Sequence, residues 1–189
     1  LDGNAVISKM IEALGTVLNY RINRSNVREI HLAEELQCTE AYFYIMSIRF
    51  GQRLKIEKEI DESLLYIMVP PLILQPIVEN AIVHGVETVR NGVIHLCVYH
   101  DETSVYLEVR NTGKKLSDEE KTRMQAILDG DDSQIPKHQG HHTSIGIQNV
   151  NKRVKLVYGE EYGLTIEQNE EPVTITTIRL PYEMEIWQD

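Results

Sequence analysis

The chain has 189 residues, 42% of them hydrophobic, which suits one globular domain or one domain with an appendage. Acidic residues outnumber basic ones 29 to 19, for a net charge of -10. No nucleic-acid partner is expected, because phosphate contacts need a basic surface.

Cys38 and Cys97 have no metal-ligand spacing and read as reduced residues in packed elements. No secretory signal opens the chain, and no uninterrupted apolar run is long enough to span a bilayer. The most apolar stretch, 64–83, is broken by Pro70, Pro71, Gln75, Pro76, Glu79 and Asn80, and reads as a buried helix with its lead-in. A start at Leu1 fits a fragment, including one cut from a membrane protein.

Ile7, Ile11, Leu14 and Leu18, widened by Met10 and Val17, follow helical spacing. Asn19 to Asn26 is polar and predicts a connection. Leu32, Leu36, Thr39, Phe43, Met46 and Phe50 mark a second helix. Together these form a helical hairpin whose two seams need either the next domain or a second copy for cover. From Arg53 the texture changes. Leu54, Ile56 and Ile60 alternate with charges and predict a strand. Pro70 and Pro71 favour an extended lead-in, and Pro76 fits the first turn of the helix that follows.

Strands are predicted at Gly92–His100 and Ser104–Arg110, with a turn around Asp101-Glu102-Thr103. Ser117-Asp118-Glu119-Glu120 is a capping box that should start a helix to about Leu128. Asp129 to Thr143 is polar and predicts a mobile loop. Ile147, Val150, Val154 and Val157 mark another helix, ended by Gly159. Strands at Tyr162–Gln168 and Val173–Leu180 follow, and Pro181 stops the last. Helices and mostly antiparallel strands in this order predict an α/β (α+β) domain, a two-layer sandwich with one sheet face covered, preceded by the hairpin. The boundary falls at 1–53 and 54–189.

Pro70 to Gly85 is the most informative segment. It sets an acid, an amide and an imidazole in an apolar helix pattern. Asn80 and His84, four apart, share one helical face, with Glu79 on its flank. Buried polar groups are costly without partners, so the trio marks a candidate site.

These segments resemble the cytoplasmic end of LytS/YesM-type sensor histidine kinases, relatives of the gyrase and Hsp90 ATPases. Ala41-Tyr42 and Ile48 to Leu54 resemble the segment ahead of the ATPase domain, and Pro70–Gly85 resembles the asparagine box. Ser144-Ile145-Gly146-Ile147-Gln148-Asn149-Val150, with Arg153, Leu156, Tyr158 and Gly159, resembles the second glycine box and its helix. Thr174 to Pro181 resembles the last strand.

The resemblance implies an ATP-dependent protein-histidine kinase using magnesium. Asn80 would hold the magnesium through its amide oxygen. Glu79 would polarise the attacking group or an ordered water. His84 would approach the phosphates, and Asn111 stands where the family has an adenine-binding aspartate. Gly113 would let backbone pass close to the nucleotide. Gly146 would lie ahead of a helix N-terminus that favours phosphate. Ile147, Asn149 and Arg153 belong to the same box, and Thr174 would sit near the adenine. Residues 114–143 would form a lid. A response regulator, a homodimeric parent in the cell membrane and a cytoplasmic site for this region are also implied.

The sequence departs from the family in two ways. No acceptor histidine with its Phe-Leu-Tyr/Phe-Asn context is present, and His31 reads as a surface N-cap residue. The first glycine box, roughly Asp-Asn-Gly-x-Gly in the family, is Asn111-Thr112-Gly113-Lys114-Lys115; Ser144 and Val173 also replace glycines. An amide in place of the acid costs about 1–3 kcal/mol, or about five- to more than a hundredfold in affinity, with Lys115 a candidate compensating cation.

A second reading is therefore a degenerate module that binds ATP weakly or not at all and acts through dimerisation and protein contacts. An anti-sigma-factor-like serine kinase is a distant third, opposed by the N-terminal helices and Arg49–Leu54. His138, His141 and His142 read as solvated loop residues, and His95 and His100 as ordinary strand positions.

Overall fold

The computed structural model describes residues 3–24, 27–131 and 141–182, with 141–144 described by backbone only. The elements run α1 (Gly3–Arg24), β1 (Ile30–His31), α2 (Leu32–Phe50), β2 (Leu54–Ile60), β3 (Met68–Val69), α3 (Leu74–Asn80), β4 (Gly92–His100), β5 (Ser104–Thr112), α4 (Asp118–Leu128), α5 (His141–Tyr158), β6 (Gly163–Gln168) and β7 (Val173–Pro181).

Five strands form one sheet in the order β2-β4-β5-β7-β6. Only the β2–β4 pair in this sheet is parallel. A parallel pair needs a crossover, and α3 supplies it. The expected α/β sandwich is thus present. Side chains alternate across the strands. Ile94, Leu96, Val98, Val105, Leu107, Val109, Ile178 and Leu180 are all buried on the face toward α3 and α5. The opposite face carries His95, Cys97, Tyr99, Tyr106, Glu108 and Arg110. Tyr99 and Tyr106 stack there with ring centroids 5.1 Å apart.

The helical pair joins this body through a core that runs from Val17 to Leu180. On α2, Leu32, Leu36, Thr39, Phe43 and Met46 are buried as the periodicity predicts. On α1 the buried residues are Ala13, Val17 and Tyr20. The predicted stripe of Ile7, Ile11, Leu14 and Leu18, extended by Ile22, is 50% to 72% exposed.

Two element boundaries shift. The segment from Asn19 to Arg24 is helical rather than a connection. Tyr20 donates to buried Glu35, and Arg21 and Arg24 pair with Glu79 and Glu34, so tertiary contacts hold this polar stretch in the helix. Similarly, α5 begins at His141, inside the stretch expected to be a loop. The rest of that loop, 132–140, with His138, lies outside the described residues.

A short ladder was not expected. It pairs β1 with β3 antiparallel and holds the 30–31 segment against 68–69. His31 stands at the N-cap position of α2, exposed and without a capping bond. Its Nδ1 lies 3.0 Å from the Tyr66 carbonyl.

Candidate functional site

The asparagine-box helix begins without a capping side chain of its own, because Ile73 occupies its N-cap. Glu35 of α2 supplies the missing acceptor. Its carboxylate takes hydrogen bonds from the Leu72 and Leu74 amides, the latter at 2.8 Å, and from the Tyr20 hydroxyl. The turn also places Leu72 at φ 60°, a left-handed conformation uncommon for a bulky residue. Burial pushes the Glu35 carboxyl pKa up, and its hydrogen-bond donors draw it back. Arg153 of α5 braces the same turn by donating to the Pro71 carbonyl.

Beyond Asn80 the chain winds into a π-helical turn, Ala81–Gly85, and then a 3-10 turn, Val86–Thr88. Single π turns within helices recur at functional sites. Here the wider turn ends at Gly85, packed against Asn111 of β5. A Cβ on Gly85 would lie 2.0 Å from Asn111 Nδ2 and 3.0 Å from the Thr112 carbonyl oxygen. Gly113 abuts the same turn, with its would-be Cβ 3.2 Å from the Gly85 Cα.

A cavity of about 360 Å³ opens between this turn, the sheet, α4 and α5. Of the predicted site residues, Asn80, His84, Asn111, Ile147 and Thr174 line it. Asn111 and Thr174 are cross-strand partners on β5 and β7. Asn111 is 4% exposed and its amide nitrogen donates to the Thr112 carbonyl at 3.2 Å, which leaves the amide oxygen as its acceptor. Met124, Ile127 and Leu128 of α4, with Ile147 and Ile166, form an apolar wall. Lys114 and Arg123 bring positive charge to the rim. Lys114 donates to Glu120 at 2.7 Å, and Glu120 also closes the predicted capping box with Ser117. Of the expected buried trio only Asn80 is buried; Glu79 is half-buried and His84 is exposed. Desolvation of its ring, and secondarily the Lys114 ammonium, hold its pKa below 6.5.

The remaining predicted residues stand outside the lining. Glu79 sits on α3 beside the cavity but faces α1, where Arg21 pairs with it and Gln75 Nε2 donates to it at 3.0 Å. Gly146 lies inside α5, not ahead of its N-terminus, so its amide belongs to the helix ladder. Its would-be Cβ lies 3.4 Å from Pro76, which marks the close crossing of α5 and α3. Asn149 is exposed, and Arg153 acts on the Pro71 turn. Among the described residues, Lys115 is absent from the lining and Lys114 is the lysine that reaches it.

Several contributors had no signal in the sequence. Gln168 bonds the Leu116 amide at 2.8 Å, the Lys114 carbonyl at 2.9 Å and the Thr174 hydroxyl at 3.3 Å, and so ties the segment before α4 to the cavity floor. Asn151 bridges Leu128 and Leu164. Gly85 was legible only as the end of the box.

Comparison with known proteins identifies the family and the fold. Residues 2–54 match the histidine kinase family model, and residues 70–184 match the model for histidine kinase-, DNA gyrase B- and HSP90-like ATPases. The chain is 34% identical over 163 residues to the sensor histidine kinase YpdA of Escherichia coli, covering 86% of this chain and 26% of that protein. It is 30% identical over 181 residues to the sensor histidine kinase YesM of Bacillus subtilis, covering 95% and 28%. It thus spans about a quarter of the length of these relatives.

Among solved structures, the catalytic domain of the histidine kinase ThkA superposes with a TM-score of 0.59 at 19% identity, over 81% of this chain and 93% of that one. ThkA in complex with the response regulator protein TrrA gives 0.58 at 17% identity, over 94% and 50%. No helix among the described residues is long and apolar enough to cross a membrane. The chain belongs to the histidine kinase-, DNA gyrase B- and HSP90-like ATPases, and within them to the LytS/YesM type of sensor histidine kinase.

Proposed function

We propose that this chain is the ATP-binding catalytic region of a sensor histidine kinase, which moves the γ-phosphoryl group of ATP to a histidine outside residues 1–189 for relay to a response regulator. The carrying observation is the convergence of Asn80, His84, Asn111 and Thr174 on one mainly apolar cavity in a chain of this family. In this reading Asn111 and Thr174 receive the adenine, with Met124, Ile127, Ile147 and Ile166 packed on the base. His84, Lys114 and Arg123 face the phosphates. Gly113 lets backbone approach the nucleotide. Gly146 and Arg153 set α5 against α3, and Asn149 contributes from the exposed side of α5.

The donor set fits magnesium. Asn80 offers a single neutral oxygen, which suits a hard cation completed by phosphates and water. When bound, magnesium would neutralise phosphate charge. Glu79 is proposed as the catalytic acid–base residue, released from Arg21 in the active arrangement. An exposed ion pair is worth about 0–1 kcal/mol, so that release costs little. The open α1 stripe supports a homodimeric parent, and the ThkA–TrrA complex supports a response regulator as partner. A functional boundary near residues 53 and 54, and a cytoplasmic position in a membrane-anchored parent, complete the proposal.

Titration with a nonhydrolysable ATP analogue and magnesium tests it. Saturable binding that Asn80→Ala abolishes, in a chain that stays folded, is the expected result. The degenerate-module reading is favoured by Asn111 at the family's aspartate position. No binding at millimolar nucleotide, with little gain from Asn111→Asp, would establish that second reading. A gain of about five- to a hundredfold from Asn111→Asp would show that one contact alone limits affinity.

A further inference from the structure

On the sheet face away from the nucleotide cavity, strand register assembles side chains that are distant in sequence. His95 and Cys97 stand two apart on β4 and therefore project from the same face. Glu59 of β2 is the direct register partner of Cys97. One ligand atom from each of Glu59, His95 and Cys97 lies within 4.8 Å of the others. His95 Nε2 is 3.4 Å from Glu59 Oε1. From the geometry we infer that Glu59, His95 and Cys97 form a binding site for a single zinc ion or another borderline divalent metal.

The donor chemistry selects the ion. A thiolate, an imidazole and a carboxylate together suit zinc and disfavour magnesium or calcium, which take oxygen alone. Three protein ligands leave a fourth, open position for water. Two ligands are held on one central strand: His95 has a side chain 20% exposed and Cys97 is buried. The third, Glu59, is 76% exposed at the sheet edge and can close over the ion. Cys97 also borders a surface depression of about 390 Å³, with Glu59, Asp61, Tyr99 and Arg110, so an ion can reach the sulfur.

Arg110 faces the cluster but is paired with Glu108, which offsets its charge. Burial raises the Cys97 pKa, and Arg110 partly counters the rise. The ion binds by forming an S–metal bond as the thiol releases its proton to water. With one exposed ligand and a protonated thiol, affinity should fall well short of closed four-ligand sites.

The test titrates zinc chloride alone into the chain carrying His138→Ala, His141→Ala and His142→Ala, which removes the histidine-rich segment as a competing source. We expect one ion per chain, a thermal midpoint that climbs with zinc, and at least tenfold weaker binding in Cys97→Ser and in His95→Ala. Cobalt(II) should give a near-ultraviolet thiolate band that vanishes in Cys97→Ser. Glu59→Gln is a surface change that leaves the fold intact, so it serves if the strand variants fail to fold; a severalfold loss of affinity with the cobalt band retained supports the site. No ion bound at about 100 micromolar zinc, or binding untouched by all three substitutions, overturns it.

Discussion

His84 offers a direct test of the proposed nucleotide site. Its pKa is held below the ordinary 6.5 by desolvation and by Lys114. The folded state therefore binds its proton less well than the unfolded state does. The matching stability is present above pH 6.5 and is lost as pH falls through the folded value. A triphosphate should reverse the shift by adding negative charge beside the ring. Titration of the His84 ring signal by NMR should give a pKa below 6.5 in the free chain and a higher one with nucleotide. An unchanged value would place the phosphates elsewhere. Gly85 is the second telling residue, because a methyl there collides with the Asn111 amide. Gly85→Ala should cost about 1–3 kcal/mol in denaturant unfolding and weaken nucleotide binding. Near-wild-type values for both would mean that the turn yields freely.

Among elements, α3 is the one whose position decides the site. It is short, it starts without a local cap, and it continues into the π-helical turn Ala81–Gly85 that carries His84. Its N-terminus is set by Glu35 from α2, an acceptor shared by the 72–74 backbone and Tyr20 of α1. A change in how α1 and α2 pack therefore acts directly on the helix that carries Asn80. Glu35→Gln replaces one acceptor oxygen with a donor facing backbone N–H groups. It should lower stability by about 1–3 kcal/mol, read by chemical denaturation, and reduce nucleotide affinity in the same chain. Loss of stability with affinity intact would make Glu35 a purely structural cap.

For the whole molecule, the arrangement leaves α1 with two different faces. Ala13, Val17 and Tyr20 pack inward, while Ile7, Ile11, Leu14, Leu18 and Ile22 lie open. A continuous apolar stripe of that kind marks an interaction surface. Leu14→Asp with Leu18→Asp should leave the folded chain soluble and convert any self-association, measured by light scattering, to monomer. A monomeric wild-type chain at high concentration would count against the dimer. Arg21 on the same helix holds Glu79 away from the cavity. In a longer chain that includes the acceptor histidine, Arg21→Ala should change stability by less than about 1 kcal/mol while raising ATP turnover. A fall in turnover would assign Arg21 to the reaction itself.

Much of this protein was legible in its residues one stretch at a time. The α2 seam, the Ser117 capping box, the strands of the central sheet and the Asn80–His84 pair all rest on local periodicity or short-range hydrogen bonding, which sequence spacing encodes directly. Asn111 and Thr174 were nameable through family likeness, but their adjacency is a matter of strand register. Contacts between distant segments were not legible. The polar run Asn19–Arg24 is helical because Glu34, Glu35 and Glu79 receive its side chains. Glu79 faces α1 rather than the cavity, Gly146 lies within its helix, and Lys114 rather than Lys115 reaches the rim. Cys97, unremarkable in a linear reading, has His95 on the same face of its own strand and gains Glu59 as a neighbour only when β2 and β4 pair in parallel. Local propensity acts over a few residues and can be read along the chain. Burial, ion pairing and register depend on which surfaces meet, and only the folded chain decides that.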